Sequence, residues 1–73
     1  MRPVLLKQVK KGEFFALTNN VKYNEDGEVL SKYVYVRDAY DRESKKYEVY
    51  KFDDVCNFRF MKGSRIVWVD FCF

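Results

Sequence analysis

Hydrophobic side chains recur with a period of two along most of this chain, and that alternation admits strands while arguing against amphipathic helices. In 13–18, Glu-Phe-Phe-Ala-Leu-Thr, Phe15 and Leu17 share one face and Phe14 and Ala16 the other. Phe15 and Leu17 are expected in the core. Residues 32–40, Lys-Tyr-Val-Tyr-Val-Arg-Asp-Ala-Tyr, are rich in β-branched and aromatic types, and 47–52, Tyr-Glu-Val-Tyr-Lys-Phe, form the returning strand across the polar tip 41–46. A tip centred on Glu43-Ser44 sets Tyr40 against Tyr47 and Arg37 against Tyr50.

The segments between strands carry turn chemistry. Asn19-Asn20 and Asn24-Glu25-Asp26-Gly27-Glu28 predict a long polar loop over 19–31 with a loose hairpin at Asp26-Gly27, the most mobile segment expected. Asp53 is placed to cap a single helical turn through Cys56. Residues 57–61 and 65–73 read as a last hairpin, with Gly63 at the first central position of a type II′ turn. That register sets Phe60 against Val67, Phe58 against Val69, Met61 against Ile66 and Arg59 against Trp68. Phe60→Ala and Val69→Ala are then expected to destabilise strongly. The whole reads as one all-β domain, 1–73, mainly antiparallel. It is either a small five-stranded SH3-like barrel or a strongly curled meander, with a short helical turn near 53–57 and a further short strand near 4–6.

A chain of 73 residues builds a small core, and here seven Phe, six Tyr and one Trp supply its bulk. The formal charge of +3 permits contact with nucleic acid or an acidic protein surface without demanding either. Val4-Leu5-Leu6 is interrupted at Lys7, so no secretory leader is expected, and no run is long enough to span a bilayer. A cytoplasmic protein with reduced, unbridged Cys56 and Cys72 is expected, each thiol a small buried hydrophobe.

No metal site, cofactor or independent catalytic centre is expected. The chain has no His, the commonest general base. Ser31, Ser44 and Ser64 lie in turns without a base partner. Gly12, Gly27 and Gly63 each fall in a separate turn, so no phosphate-cradling loop is present. What stands out is a mixed aromatic and arginine set: Tyr33, Tyr35, Arg37, Tyr50, Arg59 and Trp68, sharing one sheet face if the last hairpin forms. Rings that stack on bases beside guanidinium groups that neutralise phosphate suit single-stranded nucleic acid. Cross-strand packing, with Arg59 over Trp68 and Arg37 over Tyr50, is the simpler reading. Trp and Arg are also enriched at the centres of protein interfaces. A non-enzymatic binding module, for a protein partner or a second copy, is the leading expectation. A small nucleic-acid-binding protein of a phage or mobile element is the alternative.

Several stretches together resemble a group of short proteins encoded by gut bacteria, their phages and mobile elements. They are Lys11-Gly12-Glu13-Phe14-Phe15, Val34-Tyr35-Val36-Arg37, Tyr40-Asp41-Arg42, Lys45-Lys46-Tyr47, Tyr50-Lys51-Phe52-Asp53-Asp54-Val55, Phe60, Lys62-Gly63 and Val69-Asp70-Phe71. The resemblance spans most of the chain except 19–31. No activity is attached to the group, so the resemblance implies a stand-alone cytosolic protein and carries no functional residues.

Overall fold

The computed structural model describes residues 1–73. Its strands are β1 (Arg2–Leu5), β2 (Phe14–Ala16), β3 (Val34–Asp41), β4 (Lys46–Lys51), β5 (Asp54–Lys62) and β6 (Ile66–Val69). They form a single 6-stranded antiparallel sheet in the order β1-β6-β2-β3-β4-β5. The all-β expectation holds. The sheet stays open, so it is a curled meander with β6 inserted, not a closed barrel.

Period two becomes two faces. The inner face holds Phe15 opposite Tyr35, Arg37 and Arg59 on either side of Val49, Tyr47 opposite Met61, and Val67 opposite Val4. Phe15, Tyr35, Val49, Met61 and Val67 join Leu6 and Val9 in the main core, with Val4, Leu17, Tyr47 and Val69 packed against it. Met61 and Val67 meet there although their strands are not neighbours, which requires the sheet to curl. The Lys7 N–H donates to the Gly63 carbonyl at 3.1 Å and the Leu6 N–H to the Arg65 carbonyl at 2.9 Å, tying the β5–β6 connection to the end of β1.

The last hairpin does not form. β6 uses both of its edges: Leu5 pairs with Ile66 and Pro3 with Trp68 on one side, and Ala16 pairs with Trp68 on the other. β5 pairs only with β4, through Glu48↔Phe60, Val49↔Arg59 and Tyr50↔Phe58. Gly63 lacks the positive φ that a type II′ turn needs. Pairing across β6 buries Val67 completely, and two non-local ladders outweigh one local turn. Phe58 and Phe60 consequently leave the core face, and Met61 takes their place.

Two further expectations shift. Tyr40 does face Tyr47, with ring centroids 4.8 Å apart, but a bulge between Arg37 and Tyr40 slips the ladder, so Arg37 faces Val49 and Val36 faces Tyr50. No helical turn occupies 53–57. Phe52 and Asp53 form a tight turn from β4 into β5, and the short 3₁₀ turns lie at Leu6–Gln8 and Ser31–Tyr33. A two-residue connection returns the chain at once, leaving Asp53 no helix to cap.

The 17–33 connection is better anchored than its polarity implies. The Asn24 side-chain oxygen accepts the N–H groups of Asp26 and Glu28, both at 2.9 Å, and Tyr23 bridges Val29. Gly27, at φ 78°, closes the tip. Val29 is buried and donates its N–H to the Cys72 carbonyl. The C-terminal residues reach the outer face, where Phe73 packs on Phe14 and Phe52 at 4.8 and 5.0 Å. Both thiols are free, as expected, but both are exposed rather than buried.

Candidate interaction surface

The two ends of the sheet are unequal. β1 is short, and Pro3 removes one of its edge N–H donors. β5 runs for 9 residues, and only Met61 among them is buried. Its first half is irregular: Lys51 pairs with Asp54 but Tyr50 with Phe58, so Val55, Cys56 and Asn57 bulge out of the ladder. A bulge of this kind guards an edge against strand addition. From Phe58 to Lys62 the ladder is regular and nothing covers its far side.

Phe58 and Phe60 stand on the outer face of this regular stretch, 55% and 46% exposed, with ring centroids 6.3 Å apart. On the same face Tyr50 on β4 lies half-buried beside Phe58, and the buried Val36 on β3 separates it from Phe14 on β2. Phe14 joins Phe52 and Phe73 in an aromatic cluster, and Phe14 and Phe52 are themselves exposed. Grouped, exposed aromatic side chains such as the Phe58–Phe60 pair mark an interaction surface more often than isolated apolar side chains do.

The arginine and tyrosine set is divided between the faces. Tyr35, Arg37 and Arg59 come together on the inner face. Arg59 leans inward over Tyr35 with 6.0 Å between guanidinium carbon and ring centre, and Arg37 covers Tyr47 at 4.4 Å. Neither has a carboxylate partner, because the chain's one ion pair is Arg2–Asp70. The Arg37 Nε is buried without a hydrogen-bond acceptor. Tyr50 and Trp68 point to the outer face, Trp68 between Pro3 and Ala16. Tyr33 sits in the 3₁₀ turn beneath Lys32, whose ammonium is 5.2 Å from the ring centre. The expected Arg59–Trp68 and Arg37–Tyr50 pairs are therefore absent. Both depended on registers that β6 insertion and the β3 bulge displace.

The sequence expectation pairs Phe58 and Phe60 with β6 and gives Tyr47 no role beyond facing Tyr40, whereas the structure exposes both phenylalanines and sets Tyr47 beside Met61. The available signal was the Phe52-Asp53 turn. Read as a tight hairpin, it joins β5 to β4, but without the Val55–Asn57 bulge it would set Phe58 opposite Tyr47; the bulge brings Met61 there instead. No group of three or more His, Cys, Asp or Glu side chains is arranged to hold a metal ion. No helix is long and apolar enough to cross a membrane. No protein-family model, curated protein or solved structure matches this chain.

Proposed function

We propose that this protein is a non-enzymatic binding module whose working surface is the regular end of β5 with the Phe58–Phe60 patch, taking up a protein strand. The observation that carries the reading is the combination of an uncovered ladder edge and two half-exposed phenylalanines on the same short stretch. An added strand would receive main-chain hydrogen bonds from the edge, while the rings supply apolar contact. Free, exposed thiols suit a reducing compartment, so the cytoplasm is the proposed setting. Affinity capture from the native host, run with wild type beside Phe60→Lys, tests the reading. Proteins held by wild type and released by the variant are expected. An identical set from both would refute it, once circular dichroism shows that the variant is folded.

A second reading, single-stranded nucleic acid on the inner face, is favoured by Arg37 and Arg59, which lie against rings without carboxylate partners. It makes Trp68 irrelevant to binding, since that ring lies on the other face. Anisotropy of a labelled mixed-sequence oligonucleotide at low salt tests it. Arg59→Ala should weaken binding and Trp68→Ala should not. Salt should also weaken binding, through counterion release.

A further inference from the structure

Resting on the edge-strand reading, we propose that the occupant of the β5 edge is a second copy of this chain, paired antiparallel about a two-fold axis at Phe60. Two identical strands related by such an axis must pair residues whose numbers sum to a constant. Ladder geometry requires that sum to be even, because odd and even positions of one strand differ in whether their hydrogen-bonding groups point outward. Only Phe58–Lys62 is regular enough to pair, since Val55–Asn57 bulge away.

Few registers remain. An axis at Arg59 sets the two Arg59 residues directly opposite each other, which like charge disfavours. An axis at Phe58 runs the partner into the bulge, and one at Met61 leaves a shorter overlap. The axis at Phe60 uses the whole regular stretch. It sets Phe60 against Phe60, Phe58 against Lys62 and Arg59 against Met61, so every cation lies opposite an apolar side chain. The four phenylalanine rings of the two copies then form one strip on the outer face. Arg59 already leans inward over Tyr35, leaving the edge clear. With two half-exposed rings per copy, the apolar area covered falls below a standard interface of about 1,600 Å², which points to a weak, concentration-dependent dimer.

Sedimentation velocity of the full chain across a wide concentration range reads the association. Phe60→Lys is expected to raise the dissociation constant at least about tenfold, as loss of a central interface residue does. Register is read by oxidative cross-linking in a Cys56→Ser, Cys72→Ser background. Phe60→Cys should link copies, because facing Cα atoms are about 4.5–5.5 Å apart. Lys62→Cys should not, since its two copies lie about 14 Å apart along the strands. If these variants fail to fold, amide exchange of the wild type decides instead: protection within 58–62 should rise with protein concentration. A chain that stays monomeric, or concentration-independent exchange there, overturns the proposal. So does a dimer linked through position 62. Loss of the dimer alone leaves capture of other proteins by the edge intact, whereas equal capture by wild type and Phe60→Lys removes the edge reading itself.

Discussion

At the residue scale, position relative to the curled sheet decides what each aromatic ring is worth. Phe15 is fully enclosed among Leu6, Tyr35, Val49 and Val67, and its ring stacks on Tyr35 at 5.9 Å between centroids. Phe15→Ala is expected to cost about 3–5 kcal/mol, the range for emptying a packed aromatic site. Phe60→Ala, on a half-exposed ring, should cost less than about 1.5 kcal/mol, roughly half a full burial. Urea midpoints of the two variants check the contrast; equal losses would return Phe60 to the core. Gly63 is constrained by space. A Cβ there would lie 2.8 Å from the Tyr47 ring and 3.1 Å from the Lys7 Cβ. Gly63→Ala should therefore destabilise by about 1–3 kcal/mol, as overpacking does, and a thermal melt unchanged from wild type would show that the ring yields freely. That Phe15 shares a face with Leu17 was legible from alternation, and that face is the one packed against Leu6, Tyr35, Val49 and Val67. The exposure of Phe58 and Phe60 was not legible, because alternation fixes which residues share a face and leaves open which face is buried.

At the scale of elements, local chemistry was readable where one turn controls one ladder. The β3–β4 hairpin pairs Tyr40 with Tyr47 and Asp41 with Lys46 as its polar tip implies. Asp41 holds the tip by accepting the Glu43 N–H and the Ser44 hydroxyl at 3.1 and 2.9 Å. Lys45 closes it at φ 56°, a conformation that costs a side chain with a Cβ. Lys45→Gly should consequently stabilise the protein by about 0.5–1 kcal/mol, net of the glycine's unfolded-state entropy. A lower denaturation midpoint would contradict that. The Gly63-Ser64 turn misled because a turn residue reports a change of direction, and the partner strand is chosen elsewhere. Two independent ladders on β6, one to β1 and one to β2, lie far away in sequence and left no mark on the turn. The bulge after Arg37 was equally silent, and it alone moved Tyr50 away from Arg37.

At the scale of the whole molecule, inserting β6 between β1 and β2 is what frees β5. Had β5 and β6 formed a hairpin, Phe58 and Phe60 would have faced Val69 and Val67 and no aromatic patch would stand open. The all-β class followed from patterning; strand order did not, because every strand alternates alike and the pattern carries no address. Edge exposure, the Phe58–Phe60 patch and the proposed self-pairing all descend from that order. Cross-strand nuclear Overhauser contacts in the isotope-labelled chain, at a concentration low enough to keep it monomeric, test it most directly. Contacts should join Arg59 to Val49 and Trp68 to both Pro3 and Ala16, with none linking β5 to β6. Contacts between Arg59 and Trp68, or between Phe60 and Val67, would contradict the strand order and close the edge on which the function rests.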